Sequence, residues 1–141
     1  MTSVPPSAPP IVLLVDDYAD ARELYGTYLR LQGYRVDEAE DGVAGLSKAV
    51  DARPAVVVMD LAMPHLNGWE ATRLLKADPR TRSIGVICLT AHGQAEQRAR
   101  AFAAGCDGFL SKPCLPHALE AEIQRVLRRG GMPRVPPGLP Q

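Results

Sequence analysis

A chain of 141 residues is one domain's worth and long enough to bury a sizeable core. Its 16 basic and 16 acidic residues cancel, which excludes the electrostatic footprint of a nucleic-acid-binding or anionic-membrane-binding surface. Of the 13 prolines, most crowd into residues 1–10 and 130–141, so both ends read as extended or disordered tails around a core over 11–129.

The core alternates short apolar runs with helical patterns five times. Ile11–Val15 is the first strand. The helix after it repeats Ala21, Leu24, Tyr28 and Leu31 as an expected inward stripe, and Gly33 stops it. Tyr34–Ala39 alternates like a half-buried strand. A second helix starts near Asp41, with Val43, Leu46 and Val50 expected inward, and ends before Pro54. Ala55–Met59 is the third strand, running into Asp60 and a loop over Leu61–Asn67. A third helix spans Gly68 to about Ala77, before Asp78-Pro79. Ile84–Leu89 is the fourth strand, Gln94–Ala104 an Ala-rich helix closed by Gly105, and Gly108–Leu110 a short fifth strand. Leu115, Leu119, Ile123 and Val126 place an apolar stripe on the last helix. Apolar strands this short, alternating with helices, predict a three-layer α/β domain: a parallel sheet with helices on both faces.

Three carboxylates stand where two of these strands stop: Asp16-Asp17 after the first and Asp60 after the third. In a parallel sheet those positions share the carboxyl edge, where open α/β sheets bind ligands. Carboxylates crowded together repel, so a proton or a cation must join them, and an all-oxygen donor set suits Mg²⁺. Thr90 at the end of the fourth strand and Lys112 after the fifth bring a hydroxyl and an ammonium to the same edge. Asp60 as nucleophile, metal held by the acid pair, and two donors for phosphoryl oxygens together make a device for phosphoryl transfer. Each signal alone has a plainer reading: an Asp pair can cap a helix, a Lys-Pro can make a turn, and Phe109 can be core. Their agreement in order and strand position favours the device.

The runs Val15-Asp16-Asp17, Met59-Asp60-Leu61-Ala62-Met63-Pro64-His65-Leu66-Asn67-Gly68, Leu89-Thr90-Ala91 and Ser111-Lys112-Pro113 resemble the CheY-like receiver domains of two-component response regulators, over about residues 11–128. The resemblance implies a flavodoxin-like, doubly wound (βα)5 sheet with strand order 2-1-3-4-5, the order for which this family is a standard example. It implies Asp60 as phosphoacceptor and Mg²⁺ bound by Asp17, Asp60 and the Ala62 backbone carbonyl, with Asp16 acting through water. It further implies Thr90 and Phe109 as a switch pair, a cis Lys112–Pro113 peptide, and an output surface on the fourth helix, fifth strand and fifth helix. The phosphoryl donor would be a histidine kinase or histidine phosphotransfer protein. The readout would be a downstream protein target, without direct contact to nucleic acid, and a phosphorylation-linked homodimer stays open. No cofactor beyond the metal is expected.

About a dozen residues follow the last helix, so a stand-alone receiver is expected, catalysing only its own phosphorylation and dephosphorylation. No basic stretch or long apolar run marks a signal peptide or membrane span, and the location expected is the cytoplasm. Cys88, Cys106 and Cys114 lack CxxC spacing and read as free thiols in a reducing compartment. The spacings Pro133–Pro136 and Pro137–Pro140 read first as a plain Pro-rich tail and second as a groove ligand. Two residues beyond Asp60 and Thr90 stand Ala62 and His92, the latter expected to face solvent. Trp69 reads as packing, close enough to the site to report on it, and Tyr18 as a bulky neighbour shaping access. Two other functions compete. A phosphohydrolase acting through an aspartyl phosphate would want a general acid two residues past the nucleophile, where Ala62 stands. A phosphorylation-independent binding module would be signalled by loss of Asp60, Thr90 or Lys112, and all three are present. A flavin-binding protein would need a Ser/Thr/Gly-rich loop after the first strand.

Overall fold

A computed structural model describes residues 9–91 and 95–129. The element order is β1 (Ile11–Val15), α1 (Ala19–Leu31), β2 (Arg35–Ala39), α2 (Gly42–Ala52), β3 (Val56–Asp60), α3 (Gly68–Ala77), β4 (Gly85–Thr90), α4 (Ala95–Ala104), β5 (Gly108–Ser111) and α5 (Pro116–Arg128). All strand pairs are parallel and the sheet order is β2-β1-β3-β4-β5, the doubly wound order expected. Residues 1–8, His92 and the proline-rich stretch over 130–141 lie outside the described residues, whereas Pro9 and Pro10, expected in the N-terminal tail, accept hydrogen bonds from Arg35 at the start of β2.

Strand residues alternate between two cores, as a sheet covered on both faces requires. Val12, Leu14, Val56, Val58, Ile87 and Leu89 pack with Tyr25 and Leu29 of α1 and with Leu119, Ile123 and Val126 of α5. Leu13, Val15, Val57, Met59, Val86 and Cys88 face the opposite way, onto Ala49 of α2, Ala71 and Leu75 of α3, and Ala101 of α4. All five residues of β3 are buried, which fits the central strand, whereas the edge strand β2 is only part-buried.

Three helical stripes differ from expectation. In α1 the buried residues are Tyr25, Gly26 and Leu29, while Leu24 and Leu31 are exposed. The apolar spacing Ala21-Leu24-Tyr28-Leu31 is a true helical period, but the core face is rotated off it. Tyr25 sets that rotation, because its ring packs inward while its hydroxyl donates to the Cys114 carbonyl at 2.9 Å. In α2 the buried positions are Gly42, Gly45 and Ala49, and Val43 is exposed. The helix lies so close to β1 that a Cβ at Gly45 would come within 2.9 Å of the Val15 side chain, so small residues, not large ones, mark its inner face. In α5 the stripe Leu119, Ile123 and Val126 is buried as expected, but Leu115 is the exposed N-cap residue ahead of Pro116.

Helix ends follow local chemistry. Gly33 takes φ +98° just past α1, a conformation glycine adopts without strain. The Asp41 carboxylate accepts from the Ala44 amide to cap α2, and the Asn67 side chain accepts from the Glu70 amide to cap α3.

Candidate functional site

Parallel pairing sends every strand's carboxyl end to one edge. Asp16 follows β1 directly, Asp60 is the last residue of β3, Thr90 the last of β4, and Lys112 follows β5. Asp60 therefore belongs to the strand itself, one residue further than the apolar run indicated. Each of Asp16, Asp17 and Asp60 offers a carboxylate oxygen, and these oxygens lie within 4.8 Å of one another. Asp16 and Asp60 are buried, whereas Asp17 is exposed.

The connection from β1 to α1 is short and tightly held. The Asp16 amide donates to the Ala39 carbonyl at 3.1 Å, extending the pairing of β1 with β2 by one step. The Tyr18 amide donates to Asp16 Oδ1 at 2.9 Å, closing a side-chain turn. Tyr18 itself is the N-cap residue of α1, and its ring is largely exposed.

The loop after β3 is anchored by backbone. The Leu61 amide donates to the Leu89 carbonyl at 2.9 Å, and Leu61 and Met63 are buried. The Ala62 amide donates to Asp60 Oδ1 at 3.2 Å. His65 takes φ +68°, turning the chain back toward α3. Gly68 opens that helix against the backbone of Asp60; a Cβ there would overlap the Asp60 carbonyl oxygen and stand 2.7 Å from Leu61 Cα. The glycine is needed for this close approach.

Lys112 crosses from β5 to the acids. Its Nζ donates to Asp16 Oδ2 at 2.9 Å and lies 3.8 Å from Asp60 Oδ2. Its amide donates to the Thr90 carbonyl at 2.6 Å, and the Lys112–Pro113 peptide is cis. Burial disfavours the ammonium charge, but the hydrogen bond to Asp16 and the charges of Asp60, Asp16 and Asp17 outweigh it and push the Lys112 pKa up. Asp60 is pushed up to about 6, first by burial and then by the charge of Asp16; Lys112 and the Ala62 amide pull the other way. The cluster is thus short of positive charge, and its hard oxygen donors fit a small divalent cation of the Mg²⁺ type.

Thr90 and Phe109 are both buried, Thr90 at the sheet edge and Phe109 on the core face shared with α2, α3 and α4. The Arg98 guanidinium of α4 stands 5.8 Å from the Phe109 ring and 5.1 Å from that of Phe102. Trp69, partly buried on α3, carries the Arg100 guanidinium 4.0 Å over its ring.

The residues that sequence reasoning passed over are Arg22, Glu38 and Tyr25. Arg22 Nη1 donates to the Asp16 carbonyl at 2.6 Å, and its Nε donates to Glu38 Oε1 at 3.3 Å. The available signal was position: Arg22 lies one turn past Tyr18, so its side chain points back over the acid pair.

A family model described as "Response regulator receiver domain" matches residues 12–124. The phosphate regulon transcriptional regulatory protein PhoB of Pseudomonas aeruginosa is 36% identical over 120 residues, covering 85% of this chain and 52% of that protein. The DNA-binding dual master transcriptional regulator RpaA of Synechocystis is 34% identical over 120 residues, covering 85% of this chain and 50% of RpaA. The chain thus spans about half the length of these curated relatives. Among solved structures, the chemotaxis protein CheY4 of Vibrio cholerae superposes with a TM-score of 0.81 at 33% identity, covering 84% of this chain and 99% of that one. The receiver domain of sensor histidine kinase PA1611 from Pseudomonas aeruginosa, solved with a magnesium ion coordinated in its active-site cleft, gives a TM-score of 0.79 at 31% identity over 86% of this chain and 99% of that one.

Proposed function

Because the chain belongs to the response regulator receiver domain family, we propose that it is a phosphorylation-controlled signalling switch that takes a phosphoryl group onto Asp60 from a phosphohistidine. One observation carries this reading: Asp16, Asp17 and Asp60 converge within 4.8 Å beside a lysine that contacts two of them.

Each residue then has a task. An Asp60 carboxylate oxygen forms the new P–O bond while the P–N bond breaks and its electron pair leaves with the imidazole. Mg²⁺, held by Asp17, Asp60 and the Ala62 carbonyl with Asp16 acting through water, would neutralise the carboxylates against the incoming anion. The Lys112 ammonium, already between Asp16 and Asp60, turns to a phosphoryl oxygen once the acceptor is esterified. The Thr90 hydroxyl donates to another. Movement of Thr90 toward the phosphoryl group would be accompanied by repacking of the Phe109 ring, already buried on the core face, and the surface of α4, β5 and α5 would change with it. Phe109 lacks a hydroxyl, so this transition depends on packing alone.

The donor on this reading is a histidine kinase or histidine phosphotransfer protein, the output is a protein contact, and the protein works in the cytoplasm. Turnover is confined to the chain's own aspartyl phosphate. Among the described residues no helix is long and apolar enough to cross a membrane.

The test is intact-mass analysis after mixing the protein with Mg²⁺ and acetyl phosphate, beside Asp60→Asn. One added phosphoryl group is expected, lost with chelator and absent from the variant. A variant that labels like the wild type refutes Asp60 as acceptor. No addition from acetyl phosphate or from a phosphohistidine donor refutes the switch and leaves a phosphorylation-independent binding module.

A further inference from the structure

Arg22 takes no part in the chemistry above, yet it grips the loop that carries two of the three acids. Its side chain is 17% exposed. Nη1 holds the Asp16 carbonyl and Nε holds Glu38 Oε1 on β2, while Glu38 Oε2 accepts from Arg30 Nη2 at 3.2 Å. Glu38 is therefore clamped between two arginines of α1, and Arg22 spans from that clamp to the sheet edge.

The consequence runs through one peptide plane. The Asp16 carbonyl and the Asp17 amide belong to the same rigid unit. The preceding peptide plane is held by the Asp16 amide's bond to Ala39, and the Asp16–Asp17 plane is held at its carbonyl by Arg22, so the direction in which Asp17 leaves the chain depends on the arginine. Asp16 is further fixed through both carboxylate oxygens, by Tyr18 and Lys112. Asp17 is exposed, and the Asp16–Asp17 peptide is what aims it at Asp60.

We propose that Arg22 is a positioning residue for the divalent-cation site: it locks the Asp16–Asp17 peptide so that both carboxylates converge with Asp60. This rests on the Mg²⁺ reading of the acid cluster given above. Outer partners that orient metal ligands contribute roughly 10–100-fold to affinity, and the lower end is expected for a hydrogen bond to a backbone oxygen.

Charge alone predicts the reverse. A cation beside a Mg²⁺ site repels the ion, so simple removal of the Arg22 charge would tighten binding. The sign of the change therefore separates positioning from electrostatics, and affinity of the folded protein is separate from any loss of stability.

The experiment is calorimetric titration of MgCl2 into the full chain as wild type, Arg22→Ala and Arg22→Lys, with folding of each checked by circular dichroism. Arg22→Ala is expected to bind Mg²⁺ about tenfold more weakly. Arg22→Lys keeps the charge and a single donating nitrogen but loses the fork that spans to Glu38, and is expected to recover part of that loss. Unchanged or tighter binding by Arg22→Ala overturns the proposal. If Arg22→Ala does not fold, Arg22→Lys decides: weaker binding at unchanged charge supports positioning, and wild-type or tighter binding overturns it. A wild-type protein that binds no Mg²⁺ overturns the metal reading itself, a distinct result.

Discussion

Replacing Asp60 with Asn should make the protein more stable at neutral pH. The carboxyl is buried beside Asp16, and its pKa stands at about 6 instead of 3.8. Between about pH 4 and 6 the folded protein therefore holds a proton at Asp60 that the unfolded chain has released. Stability falls as pH rises through that window, and above it the ionised carboxylate is a constant burden. A rise of that size corresponds to about 3 kcal/mol at most. Solvent screening at the sheet edge reduces the realised effect to about 1–2 kcal/mol. Asn keeps the shape and an oxygen for the Ala62 amide but carries no charge. Urea unfolding at pH 7.5 without divalent ions should give a midpoint roughly 0.5–1 M higher for Asp60→Asn, given a slope of about 2 kcal/mol/M. The gap should shrink as pH falls through 6 and close near pH 4. Mg²⁺ should narrow it from the other side by stabilising the wild type alone. A variant no more stable than wild type at pH 7.5, or a gap independent of pH, would refute the reasoning.

Two further substitutions test neighbouring parts of the site. Lys112→Ala removes a cation that holds the Asp60 pKa down, so the Asp60 carboxyl should titrate higher than in wild type; carbon-13 NMR of that carboxyl measures it, and an equal or lower value would count against the assigned contact. Gly68→Ala drives a methyl group into the backbone of Asp60 and Leu61, and should cost about 1–3 kcal/mol in urea unfolding; a change below about 0.5 kcal/mol would mean that the close approach does not exist.

The strands and the placement of the acids were legible because several local signals agree in order and strand position, although each alone has a plainer reading. An unbroken apolar run stopping at Asp is a buried strand meeting an edge, and parallel pairing puts the three carboxylates on one edge, where the β1–β3 pairing brings them together. Strand order came from family resemblance, since no residue pattern states which strand neighbours which. The helices were harder. Leu24 and Val43 satisfy helical periodicity and still face solvent, because where α1 and α2 approach the sheet closely the core side is chosen by Gly26, Gly45 and Ala49. A hydrophobicity pattern weights large residues and so points to the wrong face there. Arg22 was hidden for a different reason: its partners are a backbone carbonyl and a carboxylate on another strand, and only its position one turn past Tyr18 hints at the first.

The weakness of α4 has a physical meaning on the switch reading. Among the described residues it buries only Ala101 and Ala104, whereas α5 buries Leu119, Ile123 and Val126. Burying two methyl side chains contributes far less than burying three branched ones. Phe102 adds a part-buried ring against the same core, and the remaining large groups of α4 act at its flanks, where Arg98 stands over Phe102 and Phe109 and Arg100 over Trp69. Such contacts contribute about 0.5–1 kcal/mol each at exposed positions. On that reading, a helix held this lightly, against Phe109, can be displaced by the one or two charge-assisted hydrogen bonds that a phosphoryl group would add, at roughly 1.5–3 kcal/mol each. Moving α5 by the same means would require breaking a continuous apolar core. On the switch reading, the α4 side of β5 is therefore a less costly outlet than α5 for energy of the size that phosphorylation of Asp60 would supply.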